Sequence, residues 1–225
     1  MAIVCFPLVF SRRLNIGLAR CWIKVILWLL KWICRIDVRV IGKENIPKDS
    51  FMVASKHQSA LETLIYPLLF PYPIFILKKS IFFIPIMGAA LKSARAIYID
   101  RSKGRDAILS IQKQLKDLSS KYSPVIFPEG TRTKAGVWTE QYRSGAALIY
   151  EALDYRVVPI AVDTGIFWPK SGPMRSGTAT IEILPPMAAT KNYDRKQFLK
   201  QLNEIIESHS MELYKNTLSK HKLED

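Results

Sequence analysis

The sequence predicts an α/β fold: a single domain with a mixed, largely parallel sheet flanked by helices, preceded by an N-terminal amphipathic helical segment. Three observations lead there. From residue 37 onward, short apolar runs alternate with amphipathic helical patterns, as in strand–helix–strand units. The 225 residues are 49% apolar, with aromatics spread along the chain, which is enough for a real core and too apolar for disorder. The first 36 residues are apolar with regularly spaced cations, so the chain divides into a segment 1–36 and a domain 37–225.

The N-terminal segment is informative in its charges. Residues 2–10 are apolar and Arg12-Arg13 follow. The window Leu14–Cys34 then contains Arg20, Lys24 and Lys31. Each such cation costs about 2.5–3.5 kcal/mol at a bilayer centre, so a simple transmembrane span is disfavoured. Arg13, Lys24 and Arg35 recur every 11 residues, as do Arg20 and Lys31. At about 100° per residue all five fall within roughly 60° of helix surface. Trp22, Ile23, Ile26, Leu29, Leu30 and Ile33 lie opposite, with Trp28 and Trp32 towards the borders. A helix of this kind lies in one leaflet of a membrane with its cations at anionic lipid heads. The plainer alternative is a core helix with a solvated edge. Cys5, Cys21 and Cys34 all fall in this segment, form no metal-ligand spacing, and read as small buried hydrophobes in a reducing compartment.

The domain opens with the alternating Asp37–Val40 and the turn residues Gly42–Pro47. Strands are expected at Phe51–Ala54, Ile74–Leu77, Ala96–Ile99, Pro124–Phe127, Val157–Val162 and Thr178–Leu184. Helices are expected at Leu61–Phe70, Arg105–Ser119, Ser144–Leu153 and Asp194–Tyr214. The last has Phe198, Leu202, Ile205 and Ile206 on one side. Gly165–Gly177 is the one loop rich in Gly, Pro and Ser.

The charge balance narrows the partners. Thirty-three basic and 19 acidic residues give a net charge of +14, which suits nucleic acid, an anionic membrane or a phosphorylated substrate. No nucleic-acid-reading motif is present, and nucleic acid would leave the apolar side of the N-terminal helix unexplained. A mean hydropathy of +0.07 is too low for a polytopic membrane protein.

Three strand ends hold candidate chemistry, the place where α/β domains put their sites. Lys56-His57-Gln58-Ser59 follows the first buried strand, with Glu62 five residues beyond His57. The two can pair only if His57 lies in the loop and Glu62 on the first turns of the helix, because five residues of continuous helix would separate them by about 140°. A carboxylate in that position fixes the imidazole tautomer and stabilises the imidazolium. Pro128-Glu129-Gly130-Thr131-Arg132 forms a turn able to offer N–H groups and a guanidinium to an anion. Ile99-Asp100-Arg101 ends a third strand. Singly, each is as readily a surface His, an ordinary turn or a solvated ion pair.

In combination they are distinctive. Lys-His-Gln-Ser with Glu62-Thr63, then Ile-Asp-Arg, then Phe-Pro-Glu-Gly-Thr-Arg, then Val-Pro-Ile-Ala-Val resembles the glycerolipid acyltransferase family along residues 51–162. The family usually has Asp where this chain has Glu62. The resemblance implies His57 as general base with Glu62 orienting it. It implies Arg101 at the acceptor's phosphate, Glu129, Gly130, Thr131 and Arg132 in the acceptor-binding block, and Pro159 near the acyl-donor site. The implied reaction moves an acyl group from acyl-CoA or acyl-acyl carrier protein to the sn-2 hydroxyl of lysophosphatidic acid, giving phosphatidic acid. A thioester is already activated, so neither cofactor nor metal is expected. The implied setting is the cytoplasmic face of a bacterial inner membrane, peripheral or monotopic. The alternatives are another acceptor, such as glycerol-3-phosphate or an amino-acid-linked lysolipid, and a non-catalytic basic membrane-binding protein.

Overall fold

The structure is a computed structural model and describes residues 12–78, 83, 97–99, 106, 109–111, 113–114, 122–153, 155–187 and 194–221. Its strands are β1 (Ile36–Ile41), β2 (Phe51–Ser55), β3 (Pro73–Lys78), β4 (Ile97–Ile99), β5 (Ser123–Ile126), β6 (Arg156–Val162) and β7 (Gly177–Ile183). Its helices are α1 (Arg12–Ile33), α2 (Leu61–Leu69), α3 (Gly145–Leu153) and α4 (Arg195–His221). The strands form one sheet in the order β1-β7-β6-β2-β5-β3-β4. Among the described strands only β6 and β7 pair antiparallel, so the sheet is mixed and largely parallel, as the alternation of strands and helices predicts.

β2 is the central strand and shows why the core sits where it does. All five of its residues are buried, as expected of a strand covered on both faces. Phe51 and Val53 point to one side, into a cluster with Ile65, Tyr66 and Phe70 of α2 and its C-cap. Met52 and Ala54 point to the other, among α3 residues Ala146 and Tyr150 and α4 residues Phe198, Leu202 and Ile206. The chain therefore leaves β2 towards one face through α2, and leaves the neighbouring β5 towards the opposite face through α3. The carboxyl ends of strands that diverge in this way are where open α/β sheets place their sites. Pro159, with no N–H to donate, sits in β6 just where the β7 ladder stops at Ile160–Ile183.

α1 differs from the single lipid-facing arc expected of it. Ile23 and Leu30 are buried, with Ile26 and Leu27 half-buried beside them, so one apolar side is sealed onto the domain. Trp22, Val25, Trp28, Leu29, Trp32 and Ile33 remain exposed. The basic stripe also divides. Arg20 turns to the domain and donates to the carbonyls of Pro67 (3.0 Å), Phe70 (3.3 Å) and Pro71 (2.9 Å) at the end of α2. Those are helix-end carbonyls that lack partners of their own, where a cation is favourable. Lys31 pairs with Asp37 at 2.7 Å. Among the described residues no helix is long and apolar enough to cross a membrane.

Other expectations need smaller corrections. Cys21 is exposed because it lies on the side of α1 away from the domain, while Cys34, just past the helix, is half-buried and packs with Ile26 and Leu27 against the Leu30 and Ile36 cluster; Cys5 lies outside the described residues. The loop Gly165–Gly177 begins inside a short 3-10 turn, Thr164–Ile166. α4 runs to His221 rather than ending at Tyr214. Most of Arg105–Ser119 lies outside the described residues; 106, 109–111 and 113–114 are helical, with Ile111 buried.

Candidate active site

The loop leaving β2 brings His57 and Glu62 together. Ser59 Oγ accepts the Leu61 N–H at 3.2 Å, while the Glu62 carboxylate accepts the Ser59 N–H at 3.0 and 3.1 Å. The Glu62 half of this arrangement is that of the capping box a Ser-x-x-Glu sequence favours at a helix start, while the hydroxyl takes the N–H one residue before Glu62. Glu62 is thereby turned back over the loop, where it also accepts the Gln58 N–H at 3.2 Å and the hydroxyl of Thr164. Its remaining contact is His57 Nδ1, 3.3 Å from Oε2. A carboxylate can only accept, so Nδ1 carries the proton and Nε2 keeps its lone pair. The imidazole stacks on Phe127, the first residue after β5, with ring centroids 3.9 Å apart and planes 18° from parallel. The imidazole keeps a 16% opening to solvent while Glu62 is fully buried.

Behind this pair lies a buried charge network. Lys56, next to His57, has its ammonium 3.0 Å from Glu129 and 2.6 Å from Glu207 of α4, with all three side chains essentially out of solvent. Glu207 also accepts the Tyr142 hydroxyl (2.8 Å) and the Thr139 N–H (3.0 Å). Glu129 accepts the His57 backbone N–H at 2.8 Å and the hydroxyls of Thr133 (2.8 Å) and Thr139 (3.2 Å). Burial pushes the Glu129 carboxyl up, and Lys56 opposes that push. Burial, reinforced by the negative charge of Glu207, raises the Tyr142 phenol far above its ordinary value, so it stays a donor.

The turn after β5 is closed by the Gly130 N–H on the Phe127 carbonyl at 2.9 Å. Gly130 has φ +72°, a left-handed conformation that glycine adopts without strain. Beyond it, Thr131 is exposed and Arg132 half-buried. The Thr133 N–H returns to the His57 carbonyl at 2.8 Å. The structure thus brings His57, Glu62 and Glu129 into one connected set, with Gly130, Thr131 and Arg132 on the adjoining turn. Arg101 lies outside the described residues; the strand before it, β4, is the sheet edge, with β5 and β3 between it and β2. Among the described residues no group of three or more His, Cys, Asp or Glu is placed to hold a metal.

Residues 37–163 match the acyltransferase family, more than half of the chain and the whole of this His57–Glu129 set. The chain belongs to that family. Among acyltransferase relatives, the 1-acyl-sn-glycerol-3-phosphate acyltransferase of Pseudomonas aeruginosa is 35% identical over 189 residues, covering 83% of this chain and 72% of that protein. The enzyme of the same name from Saccharomyces cerevisiae is 29% identical over 175 residues, 76% of this chain and 56% of that protein. The crystal structure of the 1-acyl-sn-glycerophosphate acyltransferase PlsC from Thermotoga maritima superposes with a TM-score of 0.74, covering 90% of this chain and 80% of that one. At 22% identity that likeness speaks for the fold.

Several acyltransferase residues here were not singled out by the sequence. Lys56 stands inside the quoted motif without an assigned role. Thr164 and Glu207 come from distant segments. Glu207 follows Ile206 in α4, and a carboxylate one step from an apolar stripe was the available signal.

Proposed function

We propose that the protein transfers an acyl group from a thioester donor, acyl-CoA or acyl-acyl carrier protein, to the sn-2 hydroxyl of 1-acyl-sn-glycerol 3-phosphate, yielding phosphatidic acid. The observation that carries this reading is the His57 Nδ1–Glu62 contact, which leaves Nε2 as a proton acceptor on an imidazole that still reaches solvent. Nε2 takes the hydroxyl proton as the acceptor oxygen attacks the thioester carbon. The tetrahedral intermediate then expels the thiolate as the carbon–sulfur bond breaks, and the imidazolium returns its proton to sulfur. The fully buried Glu62 carboxylate stabilises that imidazolium between the two steps.

Arg132, half-buried on the turn beside the His57 loop, supplies a guanidinium for the acceptor's phosphate, and Arg101 is assigned to the same phosphate from the family resemblance. Thr131 and the Gly130 turn border that position. Glu129 is a positioning residue, since its oxygens are committed to Lys56, Thr133, Thr139 and the His57 main chain. The exposed tryptophans of α1, with Lys24 between them in sequence, fit an anionic membrane surface from which the lysolipid is drawn. We assign the protein to the cytoplasmic face of a bacterial inner membrane, bound peripherally or monotopically.

Purified protein incubated with lysophosphatidic acid and each thioester donor, with products read by lipid mass spectrometry, tests the reaction. Phosphatidic acid from wild type and none from His57→Ala is the expected result. Equal product from both proteins refutes the assigned base.

A further inference from the structure

A cationic recess adjoins the catalytic loop. It has a volume of about 380 Å³ and lies between the segment 133–135 that follows the Gly130 turn, the loop 165–175 and the last turns of α4. Lys134, Lys170 and Arg175 contribute three cations, and no acidic side chain is among its lining residues. Lys170 Nζ lies 3.5 Å from the Thr131 hydroxyl, and Lys134 and Arg175 form no ion pair with a described residue. The walls are of another kind: Ile166, Leu218 and the ring of Tyr214. Tyr214 is fixed by Gly136, where a Cβ would come within 2.5 Å of the ring. The volume falls in the range of about 300–1,000 Å³ usual for small-molecule sites.

The lining determines which anion fits. In lysophosphatidic acid the reacting hydroxyl and the phosphate are only a few bonds apart, so the acceptor phosphate must sit beside the imidazole. His57, Glu62, Phe127 and Arg132 do not line this recess. It reaches the catalytic loop through the back of two lining residues: the Thr133 N–H holds the His57 carbonyl at 2.8 Å, and the Gly165 N–H meets the Gln58 amide oxygen at 3.1 Å. An anion bound here therefore belongs to a molecule whose phosphates lie far from its reacting atom. Coenzyme A has that shape: the pantetheine arm separates the thioester from a 3′-phosphorylated adenosine diphosphate. Cations suit its phosphates, and the apolar and aromatic walls suit its base. A carrier protein's lone phosphodiester would leave those walls without a partner. We propose that this recess binds the phosphoadenosine diphosphate end of an acyl-CoA donor, with Lys134, Lys170 and Arg175 as its phosphate ligands. The assignment of the ligand to the donor rests on the acyl-transfer reading above.

The test uses the full chain with Lys134→Ala/Arg175→Ala, which leaves the Lys170–Thr131 contact intact, and Lys134→Arg/Arg175→Lys as the charge-preserving control. Titration calorimetry with free coenzyme A should show a loss of roughly tenfold or more in the first variant, as expected for removing charge-assisted contacts, and retention in the second. The KM for acyl-CoA should rise in step, while kcat, the KM for lysophosphatidic acid and the KM for acyl-acyl carrier protein hold. Unchanged coenzyme A binding overturns the proposal. So does a rise in the lysophosphatidic acid KM, or an equal rise for both donors. If wild type makes phosphatidic acid but coenzyme A binding is the same in both variants, the recess fails and the reaction stands. If wild type makes none yet binding falls in the first variant, the reaction fails and the recess stands.

Discussion

Lys56 and Glu207 are 151 residues apart in sequence, yet their charged atoms meet at 2.6 Å with neither side chain reaching solvent. The pair ties the C-terminal helix to the residue immediately before His57. Removing one member of a buried pair leaves the other uncompensated, at a cost of about 3–5 kcal/mol. Glu207→Ala should lose stability on that scale in urea unfolding, since Tyr142 and Thr139 also lose their acceptor. Glu207→Gln should lose less, because Lys56 keeps Glu129. In Glu207→Gln the turnover number should fall while the acceptor KM changes little; an unchanged turnover number would separate the network from the catalytic loop.

Glu62 is held by more than its histidine. Glu62→Gln replaces an oxygen that accepts with a group that donates, facing the Gln58 and Ser59 N–H groups or His57. Activity should drop about a hundred- to ten-thousand-fold, the usual span for a lost acid–base function. Glu62→Asp keeps the charge but shortens the reach, so either His57 or Thr164 loses its contact. It should retain measurable activity, about tenfold below wild type on the loss of one such hydrogen bond. Steady-state rates of the two variants, side by side, check the order.

The His57–Glu62 pair and the Lys56–Glu207 pair were not equally legible in the sequence. The first is local: a buried strand, a loop His and a Ser-x-x-Glu helix start lie within a dozen residues, and their geometry follows from helix periodicity. The second depends on a fold-level encounter between β2 and α4. Asn203, Glu207, Ser210, Tyr214 and Thr217 recur at spacings of four and three along α4, a pattern that reads as a solvated face. In the structure Asn203, Glu207, Ser210 and Thr217 are buried against the strand ends instead. α1 met the same limit: periodicity marks an apolar side but does not say whether lipid or protein covers it.

Asp163 should make stability depend on pH. Burial raises its carboxyl to about 6 from an ordinary 3.8, outweighing the bonds it accepts from Thr180 and Thr217. A carboxyl raised in the folded state favours folding in its protonated form. That contribution is complete below the ordinary value and is lost as pH rises through the folded one. Between pH 4 and 7 the stability of wild type relative to Asp163→Asn should therefore fall by on the order of 3 kcal/mol. Urea unfolding of both proteins across that range measures the difference; a constant gap contradicts it.

The exposed side of α1 should govern membrane binding. Replacing Trp22, Trp28 and Trp32 with Ser should sharply reduce flotation with vesicles containing anionic lipid, and leave the melting temperature within a few degrees of wild type. Loss of vesicle binding only in high salt, with the tryptophans dispensable, would assign the attachment to charge alone.

Arg20 grips the far end of the same short helix whose first turn carries Glu62. Nine residues of helix measure about 13 Å, and Pro67, which interrupts the helix's own hydrogen bonding, lies at the clamped end rather than beside the carboxylate. α2 therefore works as a strut of fixed length. On the membrane attachment proposed above, the depth at which α1 settles would set the height of the imidazole, so that no moving arm is needed to find a hydroxyl at a constant depth. Inserting a turn into α2 would leave every catalytic side chain in place and change only the distance from Glu62 to the clamp on α1.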